Sequence, residues 1–373
     1  MKPLFGRVLK GGASALVISV ITFALFEGFL LLLRHVPALS RVRLVGRLAE
    51  PLYFIDRRTP QYLPECGRYD PEVSYTLRPG SCVFANTEYT TRLSVNRLGV
   101  RDAEASLEAP EAVVLGDSFA MGWGVEGDQT FAKLLEKEVG RRVLNTGVPS
   151  YGTARELRLL SRVDLAKARA LLIQFCDNDY PENDALVRGK GRLSVMSRGD
   201  YDAVVRGQAR EARYLFGKYA VKLVAARVSL LLRPPSPDDS PNPDDPAVRK
   251  KQVENFVEVV RLSLVDLARL TLIVFELNPR NRDTGWFLPM LRERLSRGGL
   301  PASFPRIVTV DVTTGLLPED FYLLDDHLRP SGHEKVARTL APYVQAAVAA
   351  DEPRPAVSDR GGFSIPPLPP RGD

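Results

Sequence analysis

The residues with the clearest potential for chemistry are a serine at a turn and a histidine preceded by two aspartates. Ser118 lies in AVVLGDSFAMGWG (112–124), directly after an apolar run typical of a buried strand. His327 follows Asp325 and Asp326 in LLDDHLRPSGHEKVARTL (323–340). A serine hydroxyl becomes a strong nucleophile when a histidine takes its proton and a carboxylate orients that histidine. These residue types predict nucleophilic catalysis by Ser118.

The scarcity of histidine narrows the choice of the general base. The chain has three histidines, and His35 adjoins an apolar stretch close to the N-terminus. His333 follows Gly332 in the first turn of a predicted helix, where we expect it to pack or to cap the helix. His327 is therefore the predicted base, and either of the two aspartates before it could orient the imidazole.

An oxyanion hole needs preorganised hydrogen-bond donors close to the nucleophile. Two predicted strand ends offer them: NTGVPSYGT (145–153), through its backbone N–H groups, and CDND (176–179), through the side-chain amide of Asn178. An ordinary turn and a helix cap are the alternative interpretations. Three residues after the nucleophile could line an acyl or sugar subsite or could belong to the core; they are Phe119, Met121 and Trp123.

Apolar runs alternating with helical periodicity predict the elements that position these residues. The runs, each read as a strand, are 112–118, 142–148, 170–179, 271–278 and 307–313. The helical segments between them are 130–140, 153–167, 247–268 and 285–297. Near-continuous apolar strands separated by helices indicate a parallel sheet with helices on both faces, which is a doubly wound α/β domain. Polar residues at several carboxyl ends of such strands converge on one crevice.

The N-terminal segment predicts a membrane anchor. Residues 13–33 contain one charged residue, Glu27, and are long enough to cross a bilayer as a helix. An uncleaved signal anchor is the preferred interpretation, with a cleaved signal peptide and a buried soluble helix as alternatives. Basic residues flank both ends, so charge alone does not fix the orientation.

The sequence divides into four predicted parts. Residues 1–34 form the anchor and 35–110 a juxtamembrane segment with a small β-rich lead-in. Residues 111–350 form the α/β domain with an insertion at about 180–270, and 351–373 form a disordered Pro-rich tail. Within the insertion, 214–233 is a predicted helix that packs on the domain or, alternatively, lies on a membrane interface. The Pro-rich stretch 234–246 predicts a loop or linker.

Composition excludes some functions. The 373 residues are 45% hydrophobic and 26% charged, with a net charge of +6 and no basic stripe with interleaved aromatics, so no nucleic-acid partner is expected. No spacing of cysteine and histidine suggests a metal site, and no cofactor is expected. Cys66 and Cys82 could form a disulfide in an oxidising compartment or remain unpaired thiols. Cys176 falls in an apolar run and is predicted to be a core residue.

Four blocks in order, GDSF, NTGVPSYGT, CDNDYPEN and DDHLRPSGH, resemble the SGNH (GDSL-type) hydrolase superfamily over roughly residues 111–345. The resemblance implies a flavodoxin-like three-layer α/β/α fold with a five-stranded parallel sheet. It also implies Ser118 as nucleophile and first oxyanion donor, Asn178 as oxyanion side chain, and His327 with Asp325 as the base and its partner. The N-terminal span followed by VNRLGVRD (95–102) looks like membrane-anchored bacterial members.

The resemblance has two departures. The second block usually has glycine where this chain has Ser150, so Ser150 is expected to supply the backbone donor, with Gly147 or Gly152 as the alternatives. The last block is often Asp-x-x-His, but Leu324 stands at that position. The resemblance then implies Asp325 as the carboxylate that orients His327, in the Asp-x-His pattern of alginate-acetylation relatives. Asp326 is the secondary candidate.

The predicted function is that of a serine esterase that cleaves an O-acyl ester, in the first instance an O-acetyl ester, through an acyl-enzyme. The expected substrate is a carbohydrate or lipid of the cell envelope, met by an extracytoplasmic, periplasmic domain tethered to the membrane. The alternatives are an O-acyltransferase for an exopolysaccharide and a non-catalytic, membrane-tethered glycan-binding protein.

Overall fold

The computed structural model describes residues 2–232, 245–280 and 284–349. The predicted tail 351–373 lies outside the described residues. The predicted linker 234–246 also lies outside them, apart from its last two positions, where Pro246 begins a helix.

The N-terminal part consists of two helices, α1 (Lys2–His35) and α2 (Arg43–Asp56). Among the described residues, one stretch, Gly12–His35 in α1, has the length and apolar composition of a candidate membrane span, with a mean hydropathy of 2.5. Only 17% of its most apolar window is buried against the rest of the protein, in contrast to the core helix of a soluble domain. The helix α2 packs beside the end of α1.

Two antiparallel hairpins follow, in the region expected to be a β-rich lead-in. They are formed by β1 (Gly67–Asp70) with β2 (Ser74–Leu77) and by β3 (Gly80–Asn86) with β4 (Tyr89–Val95). In β4 buried and exposed residues alternate strictly, so one face of the hairpin packs inward. A disulfide joins Cys66 to Cys82 with their Cα atoms 5.5 Å apart.

The main sheet has five parallel strands. They are β5 (Ala112–Leu115), β6 (Val143–Asn145), β7 (Ala170–Phe175), β8 (Thr271–Glu276) and β9 (Arg306–Thr309). Their spatial order is β6-β5-β7-β8-β9, which is the flavodoxin-like order with its switch point at β5. The predicted five-stranded parallel α/β fold is confirmed.

Helices cover both faces of the sheet. The described helices after α2 are α3 (Ser118–Met121), α4 (Phe131–Val139), α5 (Thr153–Leu160), α6 (Tyr180–Arg188), α7 (Arg198–Glu211), α8 (Lys218–Leu232), α9 (Pro246–Arg261), α10 (Phe287–Ser296) and α11 (Pro330–Val348). One core joins α5, α6, α9 and α10 to the face that bears Val113 and Leu115, and another joins α4 and α11 to the face that bears Val114. The alternation along β5 follows from the period of two in a strand.

The insertion helix α8 differs from the expectation that it packs on the domain. Its first residues, Tyr219 and Ala220, are buried in a cluster with α1 and α2. Most of the remaining described side chains of α8 are exposed.

Candidate active site

Close packing around Gly116 and a helix cap build the turn that carries Ser118. A Cβ atom at Gly116 would lie 2.6 Å from both the Ala120 Cβ and the Gln174 Oε1, so a side chain does not fit there. Asp117 Oδ1 then accepts the backbone N–H two residues on, at 2.9 Å, and caps α3. Ser118 is thereby fixed as the first residue of α3, just beyond the carboxyl end of β5, with 8% of its surface exposed.

A hydrogen-bonded chain runs from Ser118 through His327 to Asp325. His327 Nε2 lies 2.7 Å from Ser118 Oγ, and His327 Nδ1 lies 2.6 Å from Asp325 Oδ1. With its proton on Nδ1, the imidazole donates to the carboxylate, and the Nε2 lone pair faces the hydroxyl. The fold thus brings together a serine and a histidine 209 positions apart, in the geometry that proton transfer from the hydroxyl requires.

The second oxygen of Asp325 is held by three donors that the sequence did not reveal. Asp325 Oδ2 accepts from Tyr89 Oη at 2.9 Å, from Trp123 Nε1 at 3.0 Å and from the hydroxyl of Tyr53. Burial opposes ionisation of Asp325, but the His327 charge and these hydrogen bonds outweigh it and hold the pKa of the carboxyl well below its usual range. Asp325 is therefore a fixed, ionised carboxylate.

Glu88, in the turn of the β3–β4 hairpin, fixes the backbone of the loop that carries Asp325. Its carboxylate accepts the N–H groups of Leu323, Leu324 and Asp325 at 2.8, 2.7 and 2.7 Å. The lead-in hairpin therefore contributes directly to the site. Glu88 binds the backbone of the loop, and the adjacent Tyr89 donates to the Asp325 carboxylate.

Asp326 also reaches the imidazole, but in a different setting. Its Oδ1 lies 3.1 Å from His327 Nδ1 and 3.1 Å from Arg57 Nη1. Its side chain is 20% exposed, whereas that of Asp325 is fully buried. The shorter distance and deeper burial favour Asp325 as the orienting carboxylate, with Asp326 neutralised by Arg57.

Two aromatic rings pack against the imidazole of His327. Trp123 stacks on His327 at 4.7 Å with an interplanar angle of 14°, and Phe119 lies 4.7 Å away at 34°. Met121 is fully buried as well, so these three residues pack the site from within. Burial alone would lower the pKa of His327, but the charges and hydrogen bonds of Asp325 and Asp326 raise it above its ordinary value of 6.5.

Three donors are predicted for the oxyanion hole: two backbone N–H groups and one side-chain amide. The backbone N–H groups of Ser118 and Ser150 have no protein acceptor among the residues described. The N–H of Val148 donates to Gly116 O at 3.1 Å, which ties the loop after β6 to the nucleophile turn. Asn178 Nδ2 donates to Asp117 Oδ2 at 2.9 Å, which places this amide beside the residue that precedes Ser118.

Gly147, the secondary candidate for a backbone donor, does not fit that role. Its N–H already donates to Asn145 Oδ1 at 2.9 Å. A Cβ atom there would lie 2.4 Å from Met121 N, so glycine is required for close packing against α3. Ser150 takes the left-handed backbone at φ +61° that glycine adopts more readily, and its hydroxyl accepts from Gln61 Nε2 at 3.3 Å.

His333 lies in the core, away from the chemistry. Its Nδ1 accepts the N–H of Phe131 at 3.2 Å and so caps α4. Burial lowers the pKa of His333 to about 3, so the ring is neutral.

In the part of the chain that the structure describes, one group of side chains has metal-ligand spacing: Asp325, Asp326 and His327, with ligand atoms within 4.8 Å of one another. Both ring nitrogens of His327 and both oxygens of Asp325 already have protein partners. The donor set therefore fits a Ser–His–Asp chain better than an ion.

The parallel sheet in this order, with Ser118, His327 and Asp325 joined at its carboxyl edge, defines an α/β protein with a serine–histidine–aspartate constellation. The model of the GDSL-like lipase/acylhydrolase family matches residues 114–294. Over this range the chain is similar to a GDSL-like lipase/acylhydrolase domain. The matched range includes Ser118 and ends before Asp325 and His327.

Solved structures with similar chains include three esterase-like proteins. A protein from Desulfitobacterium hafniense, described as lipolytic and of the G-D-S-L family, is 13% identical, with a TM-score of 0.34 and coverage of 62% of this chain and 97% of its own. A carbohydrate acetylesterase family member from Sinorhizobium meliloti is 14% identical, with a TM-score of 0.31 and coverage of 64% and 98%. A family 2 carbohydrate esterase with a carbohydrate-binding domain from Myceliophthora fergusii is 13% identical, with a TM-score of 0.35 and coverage of 64% and 66%. At these values the similarities carry no argument about activity. A search of curated proteins finds no significant match.

Proposed function

We propose that this chain is a serine esterase that acts through an acyl-enzyme. The observation that carries the proposal is the chain of contacts from Ser118 Oγ to His327 Nε2 at 2.7 Å and from His327 Nδ1 to Asp325 Oδ1 at 2.6 Å. His327 takes the hydroxyl proton as the Ser118 oxygen attacks the ester carbonyl. It then returns that proton to the departing alcohol as the C–O bond breaks. Water, deprotonated by the same imidazole, releases the acid.

The negative charge that develops on the carbonyl oxygen needs donors that are free in the resting protein. We assign this role to the N–H groups of Ser118 and Ser150 and to the amide of Asn178. The two backbone N–H groups lack a protein acceptor among the described residues. The Asn178 amide has two N–H donors, of which one donates to Asp117 and orients the group, and we assign the other to the oxyanion. Gly147 is not part of this proposal, because its N–H is engaged by Asn145.

The proposed substrate is an O-acyl ester, in the first instance O-acetyl, of a cell-envelope carbohydrate or lipid. The low exposure of Ser118, closed in by rings on His327, favours a small acyl group. A cleft of about 290 Å³ beside the site shares Arg57 with it and runs between the end of α2 and α7. We place the alcohol part of the substrate there, because polar side chains such as Arg58 and Gln208 line the cleft.

The proposed setting is the outer side of a membrane, with residues 1–34 as an uncleaved anchor and 111–350 as the catalytic domain. The candidate span in α1 supports the anchor. The bond between Cys66 and Cys82 supports an oxidising compartment for the lead-in at 35–110, because cytosolic thiols stay reduced.

The test uses the purified full-length protein and a p-nitrophenyl ester of a short acid. Ser118→Ala is expected to abolish hydrolysis, whereas the control Ser161→Ala, at an exposed serine, keeps it. Hydrolysis that survives Ser118→Ala contradicts the assignment. Acetylated polysaccharides and lipid esters then define the alcohol, and transfer of a labelled acyl group to a sugar hydroxyl identifies an acyltransferase. A wild-type protein that turns over no ester supports the non-catalytic glycan-binding alternative.

A further inference from the structure

The insertion helix α8 and the segment before it expose an apolar surface that the active site does not use. Its exposed members are Leu215, Phe216, Val221, Val224, Val228, Leu231 and Leu232. Those on α8 recur at positions three, four and seven apart, so they form one stripe along the helix. A continuous apolar surface of this kind on a protein marks a contact with lipid or with another protein.

A buried acid of the candidate span holds the start of α8. Glu27, fully buried, accepts the backbone N–H of Tyr219 at 3.2 Å through Oε1 and that of Ala220 at 2.9 Å through Oε2. The hydroxyl of Tyr214 lies 3.3 Å from Glu27 Oε1. Glu27 therefore caps the N-terminus of α8, which explains how a carboxyl group is accommodated inside an apolar helix.

This attachment sets the depth of the segment in a membrane. Phe216 packs edge-on against Phe23 with ring centroids 5.7 Å apart, and both Phe23 and Glu27 lie within Gly12–His35. Glu27 is eight residues, or about 12 Å of helix, from the end of α1. If α1 crosses the bilayer, residues 214–220 lie beside it in the leaflet that contains Phe23 and Glu27. The contacts with these two residues fix the segment to α1 at that depth.

The charges of α8 agree with such a position. The helix has no acidic residue, and its charged residues are Lys218, Lys222 and Arg227. Lys218 is paired with Asp56 at the end of α2, and Lys222 with Glu211. Long basic side chains can reach the headgroup region while their helix lies among acyl chains.

We propose that α8, together with residues 214–217, inserts into the lipid bilayer beside α1 as a second membrane-embedded element. The apolar surface of this segment is continuous with the candidate span. We assign its contact partner as the lipid of the outer leaflet of the membrane that α1 crosses. The proposal rests on α1 crossing the membrane and is independent of the esterase chemistry.

The experiment labels single introduced cysteines with an environment-sensitive fluorophore. The protein's own Cys66 and Cys82 are bonded and Cys176 is buried, so a new exposed cysteine is the reactive one. Full-length Val224→Cys and Leu231→Cys proteins are reconstituted into phosphatidylcholine–phosphatidylglycerol vesicles with and without spin-labelled lipids. Leu25→Cys in the span is the positive control. Leu264→Cys is the negative control, since Leu264 is 68% exposed and Leu231 is 84% exposed, but Leu264 precedes β8 in the α/β domain.

We expect labels at 224 and 231 to shift to the blue and to lose most of their fluorescence to the spin-labelled lipids, as at 25, with no loss at 264. Labels at 224 and 231 that behave like the label at 264, while 25 is quenched, overturn the insertion of α8 alone. An unquenched label at 25 overturns the span and the insertion together. Hydrolysis of a soluble ester by the labelled proteins reports separately on the proposed function.

Discussion

The carboxylates of Asp325 and Asp326 both lie close to His327 Nδ1, and their different surroundings give them different roles. Asp325 is nearer to His327 Nδ1, at 2.6 Å against 3.1 Å for Asp326, and its other oxygen is fully used by protein donors. Asp326 is partly exposed and is compensated by Arg57. We therefore expect Asp325 to hold the imidazole in its tautomer and Asp326 to tune its charge.

Replacing the orienting carboxylate removes the acceptor for the Nδ1 proton and allows the wrong tautomer. Asp325→Asn is expected to lower kcat by about 10⁴-fold, the size associated with loss of this group in serine proteases. Asp326→Asn is the matched control and is expected to cost less than about tenfold, equal to about 1.4 kcal/mol. Steady-state kinetics on a soluble ester measure both, and a larger loss for Asp326→Asn reassigns the carboxylate.

The protonation of His327 predicts the acidic limb of the pH profile. The base must be neutral to act, and its raised pKa therefore places the rise of kcat/KM above the ordinary histidine value of 6.5. Asp326→Asn removes a negative neighbour, which destabilises the imidazolium and lowers the pKa of His327. The limb is then expected to move to lower pH in that variant. An unchanged limb, or one moved to higher pH, contradicts this account of the site.

At the scale of elements, α2 joins the candidate span to the site. Asp56, at its end, contacts Arg34 of α1 at 2.8 Å and also contacts Lys218 and Tyr219 of α8. The next residue, Arg57, about 3.8 Å along the chain, pairs with Asp326. The same helix supplies Tyr53 to Asp325, so the site lies beside the exit of α1.

Tyr53 is a positioning residue in this account, because it acts on Asp325 and not on the substrate. Tyr53→Phe removes one hydrogen bond to a buried carboxylate, so kcat is expected to fall about tenfold. Loss of that donor weakens the hold on the negative charge, so the pH limb is also expected to move. Tyr343→Phe on α11 is the control. A variant that loses thermal stability with an unchanged kcat and pH limb gives Tyr53 a structural role only.

The disulfide stabilises the β3–β4 hairpin, which packs against Trp123. Cys66 and Cys82 share a small core with Phe84 and Trp123, and the bond closes a loop of 16 positions. A loop of that length corresponds to about 3 kcal/mol of unfolding free energy. Reduction of the wild-type protein, or Cys66→Ala with Cys82→Ala, is expected to lower the denaturant midpoint accordingly. A midpoint that does not respond to reductant contradicts this expectation.

The sequence predicted the elements that have a local signal. All five apolar runs overlap a strand of the sheet. Burial is continuous in β5, β6 and β7, which explains their apolar runs, whereas the edge strand β9 is half-buried. The helix predicted over 153–167 ends at Leu160 instead. At this end the hydroxyl of Ser161 donates a hydrogen bond to the carbonyl oxygen of Arg158. The contacts of Tyr53 and Glu88 with the loop at 323–325 join residues more than 230 positions apart. The local sequence pattern around these residues does not predict such contacts.

At the scale of the whole molecule, the candidate span, α8 and the site form one arrangement. The span is held to α8 by Glu27, and α2 leads from the span to Asp326 and Asp325. We therefore expect the proposed esterase to act on ester groups close to the membrane surface.

The bond between Cys66 and Cys82 predicts that the domain lies outside the cytoplasm, with the C-terminus on the same side. Alkaline phosphatase, which is active only where its disulfides form, is fused to the C-terminus and is expected to be active. The same fusion to a chain that lacks the anchor is the control and is expected to be inactive. An inactive full-length fusion places the domain in the cytoplasm, contrary to the proposal.

The most direct test of the central claim is covalent labelling by a fluorophosphonate, followed by peptide mapping. Such a reagent reacts with a serine whose hydroxyl is activated by a histidine. We expect one adduct, on Ser118, in the wild-type protein, and its loss in Ser118→Ala and in His327→Ala. Failure of the wild-type protein to react, or an adduct on Ser118 that forms as fast in His327→Ala, would contradict it.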